Sequence, residues 1–78
     1  MYAVLNFYKF VELENLESLR EELLELCREA GVIGTILIAE EGINGRLAGT
    51  AAESEAFIAA ITKDSRFVDM RIQKSSGK

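Results

Sequence analysis

GTILIAEEGINGRLAGT, residues 34 to 50, decides how this chain folds. The uncharged run from Thr35 to Ala39 reads as a strand covered on both faces, because a strand with one wet face would alternate polar and apolar residues. Glu40-Glu41-Gly42-Ile43-Asn44-Gly45 reads as the turn that follows, since Gly42 and Asn44-Gly45 tolerate the positive φ that a reversing chain often needs. Residues 45 to 49 are short and apolar enough to pair back as the second strand of a hairpin. Thr50-Ala51-Ala52-Glu53 then forms a capping box, in which the Thr50 hydroxyl and the Glu53 carboxylate each satisfy a free backbone N–H, so a helix begins near 51.

Upstream of this block, residues 2 to 11 alternate as a strand. Ala3, Leu5 and Phe7 share one face, and Tyr2, Val4, Asn6, Tyr8 and Phe10 share the other. Leu16, Leu19, Leu23, Leu26, Cys27 and Ala30 recur at helical spacing over 16 to 30, with Asn15 as N-cap, Gly31 as C′ residue and an acidic outer face. Downstream, the second helix carries Phe57, Ala60 and Ile61 inward and stops near Asp64-Ser65. Phe67 to Gln73 read as a last strand with Val68, Met70 and Ile72 on one face, and Lys74 to Lys78 as a polar tail.

The resulting order, β-α-β-β-α-β, predicts an α+β domain of the ferredoxin-like, acylphosphatase-like type. This is a split βαβ sandwich in which a four-stranded antiparallel sheet carries two helices on one face. Its first and third strands are central and its second lies at an edge. The second strand is apolar on both sides, with Ile36 and Ile38 on one and Thr35, Leu37 and Ala39 on the other. Combined with Tyr2, Val4, Tyr8 and Phe10, this predicts an open sheet face too apolar to stand in water. Tyr2, Tyr8, Phe10, Ile36 and Ile38 are therefore candidate interface residues, covered by a second copy or by further chain.

Composition excludes several functions. Seventy-eight residues make one small domain with little room for a large internal cavity. A net charge of −4 argues against a free-standing nucleic-acid binder, whose nonspecific affinity comes mainly from cations at phosphates. One cysteine forms no internal disulfide. The absence of histidine rules out a Cys/His nucleophile or a His-containing metal site within these residues. No metal or organic cofactor is legible. There is no apolar run long enough to span a bilayer, and MYAVLNFYKF lacks the order of a signal peptide, so the expected location is cytoplasmic.

Asn6-Phe7-Tyr8-Lys9-Phe10, Cys27, Gly34-Thr35-Ile36-Leu37, Glu41-Gly42-Ile43-Asn44-Gly45 and Ala48-Gly49 closely resemble, in order and spacing, the N-terminal domain of the rhodanese-related tRNA uridine hydroxylases. The resemblance covers nearly all of the chain. It implies a parent enzyme that uses oxygen to hydroxylate the wobble uridine of certain bacterial tRNAs, with a rhodanese-like domain following this one. The catalytic cysteine of that domain matches nothing here; Cys27 belongs to the apolar stripe of the first helix. On this reading residues 1–73 are an excised ferredoxin-like domain without turnover of its own. Residues 74–78 are a polar tail or the start of a linker. The expected partners are the rhodanese-like domain and, through the parent protein, tRNA, with no membrane.

Lys9, Glu41, Asn44, Gly45 and Arg46 are the candidate substrate-binding residues; no catalytic residue is expected. Gly42, Asn44 and Gly45 either cradle an anion with their N–H groups or simply shape a hairpin. Lys9 either snorkels at the end of its strand or binds a phosphate or an acidic partner. Arg46 either pairs with Glu40 or Glu41 or faces substrate. Tyr8 and Phe10 resemble the stacking platforms of RNA-binding sheets, but the third strand offers no aromatic residue and a covered interface is favoured. Two other classes stay open. One is a dimerising or ligand-sensing module; the other is an acylphosphatase-like enzyme, against which the acidic, glycine-free loop Val-Glu-Leu-Glu-Asn at 11 to 15 argues.

Overall fold

The computed structural model describes residues 2–77 and has the expected element order. Strand β1 spans Tyr2–Phe10, helix α1 Leu16–Ala30, β2 Ile33–Ala39, β3 Gly42–Gly49, α2 Ala51–Ile61 and β4 Arg71–Gly77. The four strands form one antiparallel sheet in the order β2-β3-β1-β4, so the first and third are central and the second lies at an edge. Alternation along β1 and β3 sends Leu5, Phe7, Ile43 and Leu47 into one core with Leu19 and Leu23 of α1 and Phe57 and Ile61 of α2. Burying each such side chain is worth roughly 1.5–3 kcal/mol.

The two helices begin differently. At α2 the predicted capping box is present: the Glu53 N–H donates to Thr50 Oγ1 at 3.1 Å, and the Thr50 N–H donates to Glu53 Oε1 at 2.7 Å. At α1 Asn15 is not a side-chain cap. Its backbone is left-handed (φ 51°, ψ 55°) and its carboxamide makes no capping bond, so it turns the chain into the helix instead. Gly31 does close α1 as expected, with φ 87° and its N–H donating to the Cys27 carbonyl at 2.9 Å.

Three expectations need correction. The reversal between β2 and β3 is only Glu40-Glu41, because Ala39 already pairs with Gly42, and Gly42 to Gly45 lie in β3. These glycines serve close packing rather than the turn. A Cβ on Gly42 would sit 2.3 Å from the Lys9 carbonyl oxygen, and one on Gly45 would sit 2.5 Å from Cζ of the Phe7 ring, which lies across its backbone. An anion nest at 42–45 is therefore not formed; the segment is paired strand.

The last strand is also displaced. Phe67 and Met70 are buried, but in successive turns after α2, with the Phe67 N–H on the Asp64 carbonyl and the Met70 N–H on the Phe67 carbonyl. Val68 points to solvent. Strand β4 starts at Arg71 and runs through Lys74 to Gly77 against β1, where a frayed tail was expected; Lys78 lies outside the described residues. A polar strand is stable there because β4 is an edge, and Lys74 forms an ion pair with Glu55 of α2.

Finally, Ile36 and Ile38 do not belong to the open face. Both are half-buried against the helix-side core, opposite Gly45 and Ile43 of β3. Thr35, Leu37 and Ala39 occupy the open side of β2 instead. With Ile33, which is also exposed on that side of β2, the open face still gathers five exposed large apolar side chains: Tyr2, Tyr8, Phe10, Ile33 and Leu37.

Candidate functional site

The register across the sheet assembles the open face in rows. One row runs Thr35, Arg46, Asn6 and Gln73 from β2 to β4; the next runs Leu37, Asn44, Tyr8 and Arg71. Beyond them lie Ala39, Gly42 and Phe10 on one side and Val4 with Ala48 on the other. The centre of the face therefore carries two guanidinium groups and three carboxamides, rimmed by apolar side chains. Tyr8 and Phe10 meet edge to face, with ring centroids 6.0 Å apart and planes at 65°. Phe10 is 84% exposed, an unusual state for an unpartnered phenyl ring. Around these rings lies a shallow depression of about 750 Å³ bounded by Leu37, Glu41, Asn44, Arg71 and Gln73.

Of the predicted substrate-binding residues, the sheet brings Asn44 and Arg46 together on this face. Glu41 sits at its end, in the β2–β3 turn. Gly45 lies on the opposite side under Phe7. Arg46 has no ion pair with Glu40 or Glu41 among the described residues. Of the predicted interface residues, Tyr2, Tyr8 and Phe10 are exposed. Three members of the face were not among the candidate site residues. Asn6 was detectable as the one polar residue on its side of β1, whereas the place of Arg71 and Gln73 beside Tyr8 and Asn6 depended on the register of β4 against β1.

Lys9 faces the helix side and is already engaged. Its ammonium donates to the Arg66 carbonyl at 2.7 Å and pairs with Asp69, tying the end of β1 to the segment between α2 and β4. The hydrogen bond and charge of Lys9 hold the Asp69 carboxyl below the usual carboxylate range. In the same segment, Asp64 accepts from the Arg66 backbone N–H and from both Nε and Nη2 of its guanidinium, at 2.9, 3.0 and 2.6 Å. The guanidinium bonds lower the Asp64 pKa despite partial burial and raise that of Arg66. Both clusters brace the segment between α2 and β4.

The loop after β1 is committed as well. The Val11 N–H donates to the Glu41 carbonyl and the Leu13 N–H to the Glu40 carbonyl, both at 3.0 Å, and Leu13 is buried. Two amides that a phosphate-binding loop would present are thus spent on the neighbouring turn. Cys27 is half-buried in the α1 stripe, and burial pushes its thiol pKa up, which keeps it protonated and weakly nucleophilic. Among the described residues no cluster of three or more acidic, cysteine or histidine side chains could hold a metal. No described helix is long and apolar enough to cross a membrane.

Comparison with known proteins places this geometry in context. A family model described as the UPF0176 acylphosphatase-like domain matches residues 2–78. Similar curated proteins include the tRNA uridine(34) hydroxylases of Bacillus velezensis, 43% identical over 72 residues, and Neorickettsia sennetsu, 42% over 74. That of Cupriavidus metallidurans is 48% identical over 68 residues. These alignments take in 92%, 95% and 87% of the chain but 22%, 26% and 24% of the respective relatives, so the chain spans about a quarter of their length. Among solved structures, a bacterial light-regulated adenylyl cyclase superposes over the whole chain and 24% of its own, with a TM-score of 0.77 at 14% identity. The BLUF protein BlrB superposes over 99% of the chain and 64% of its own, with a TM-score of 0.71 at 13%. At such identities they share the fold alone.

Proposed function

The chain belongs to the UPF0176 family of acylphosphatase-like N-terminal domains, and on that premise we propose that it is the non-catalytic accessory domain of a tRNA uridine(34) hydroxylase. It helps hold tRNA, or packs on the catalytic domain, while other parts of the enzyme carry out the oxidation. The observation that carries this reading is the lopsided coverage: 40–48% identity runs along nearly all of this chain, yet fills only about a quarter of each relative. On this reading the rhodanese-like domain implied by the sequence resemblance supplies the catalytic cysteine, and a tRNA substrate is consistent with a cytoplasmic enzyme.

Two local features support a binding role over an acylphosphatase-like one. The loop after β1 has spent the Val11 and Leu13 amides on Glu40 and Glu41, and its side chains Glu12 and Glu14 would repel a phosphate. The sheet cations without a carboxylate partner among the described residues, Arg46 and Arg71, lie elsewhere, on the open face.

The test is deletion of this domain from the full-length hydroxylase in cells that lack the endogenous enzyme, with hydroxylated uridine at tRNA position 34 measured by nucleoside mass spectrometry. The expected result is loss of most of the modification while the remaining protein stays folded and abundant. Undiminished modification would overturn the proposal.

A further inference from the structure

We propose that the open face of the sheet is a seat for unpaired RNA bases, with Tyr8 and Phe10 as stacking surfaces and Arg46 and Arg71 as phosphate ligands. This rests on the accessory-domain reading and assigns the contact to particular residues. Neither the composition nor the family match identifies the face; the register does. It sets Tyr8 between Asn44 and Arg71, and Asn6 between Arg46 and Gln73, across the central strand.

Charge is segregated in the fold. The outer side of α1 bears Glu17, Glu21, Glu22, Glu25 and Glu29, which against Arg20 and Arg28 give the helix a formal −3 of the chain's −4. Lys9, Arg28, Arg66 and Lys74 are each neutralised by a carboxylate. Arg20 and Lys63, on or beside the helices, and Arg46 and Arg71 have no such partner among the described residues; of these four, Arg46 and Arg71 stand on the open face. A chain with net charge −4 thus presents a locally cationic surface there, which attracts a polyanion at short range even though the whole molecule does not.

The spacing suits a short single strand. Arg46 and Arg71 are two strands and two residues apart, which puts their Cα atoms about 12 Å from each other given sheet spacing and rise per residue. They flank Tyr8, so phosphates can be held on either side of a base stacked on its ring. Asn44, Asn6 and Gln73 each offer a donor and an acceptor to base edges. Glu41 is the one carboxylate at the rim of the depression, beside Phe10, and it directs the backbone of the strand toward the arginine side.

A dry protein interface fits less well. It would bury two guanidinium groups and three carboxamides, each costly unless the partner supplied a matched acceptor. A duplex fits less well too, because its bases are not available to the rings.

The experiment is an NMR titration of the isotopically labelled chain with a short single-stranded oligoribonucleotide of mixed sequence, and with the same strand annealed to its complement. The backbone amides of Asn44, Arg46, Arg71 and Gln73 should shift with the single strand and stay still with the duplex. Tyr8→Ala should weaken binding by roughly fivefold or more. The double variant Arg46→Ala/Arg71→Ala should lower the slope of log K against log salt by about 1.4, at ~0.7 per single-strand phosphate contact. Shifts confined to the helical side, an equal response to duplex, or unchanged binding by the double variant would refute the proposal. So would open-face signals that respond only to rising protein concentration, which would give the face to a second copy. If the domain is dispensable for modification, the accessory reading fails; if it is required but these variants bind RNA normally, only the present inference fails.

Discussion

Substituting Gly45 tests whether the glycine-rich segment exists for packing. The backbone at Gly45 needs no left-handed conformation, so alanine is sterically acceptable to its own chain. The obstacle is the Phe7 ring, whose Cζ, Cε2 and Cε1 atoms would lie 2.5, 2.9 and 3.1 Å from the new Cβ. That ring is 3% exposed and packs against Phe57 with centroids 5.7 Å apart, so it has nowhere to move without opening the core. Overpacking of this kind costs about 1–3 kcal/mol, and a ring pinned on both sides belongs in the upper half of that range. Alanine also restricts the unfolded chain, which returns about 0.4–1 kcal/mol. The net expectation for Gly45→Ala is a destabilisation of about 1–2.5 kcal/mol. In a domain this small it lowers Tm by roughly 4–20 °C. Urea unfolding followed by circular dichroism measures it directly. Phe7→Leu removes the clashing ring edge, so Gly45→Ala should cost at least ~0.5 kcal/mol less in that background. A neutral Gly45→Ala, or strictly additive effects in the double variant, would refute the packing account.

The contrast between the two helix starts gives a second expectation: Thr50→Ala should cost about 0.5–2 kcal/mol through loss of the capping box. Asn15→Ala should cost about 1–2 kcal/mol, because alanine resists φ 51°, while Asn15→Gly should be close to neutral in the same urea assay. A third concerns acid. The Arg66 guanidinium lowers the Asp64 pKa, so this pair stabilises the fold fully above the unfolded carboxyl value of ~3.9 and loses its effect as pH falls through the lower folded value. The gap in urea midpoint between the native chain and Asp64→Asn should therefore narrow as the pH is lowered below about 4; a gap of the same size in acid as at neutral pH would contradict this.

Much of the architecture was legible because it depends on local rules. Alternation marked β1, the 3–4 spacing of leucines marked α1, and Thr50 with Glu53 fixed the start of α2 through chemistry confined to four residues. The misread positions depend on distant partners. Gly42 and Gly45 look like turn residues until the Lys9 carbonyl and the Phe7 ring are placed above them. Phe67, Val68 and Met70 imitate a strand, yet two of the three plug the core from turns, and the actual strand is polar because its edge position asks little burial of it. For the site, Asn44 and Arg46 could be read from β3 itself. Arg71 and Gln73 fell within the expected last strand, on the face opposite Ile72, but which of them stands beside Tyr8 is set by the register of β4 against β1, which no local rule gives. Sequence also left the orientation of β2 ambiguous, because either face of an all-apolar strand can satisfy the helices.

The place of β1 in the sheet has a consequence for synthesis. Tyr2 is made well before Gly77, yet they are paired neighbours, and β1 is held on its other side by β3. As the chain leaves the ribosome at roughly 5–20 residues per second, β1 therefore waits seconds with one edge unpaired. Local contacts within α1 and the β2–β3 hairpin can form early, but closure of the sheet waits for β4 at Arg71–Gly77. A chain interrupted before Arg71 would present the backbone of Tyr2 to Tyr8 along an open edge, the kind of species that chaperones bind.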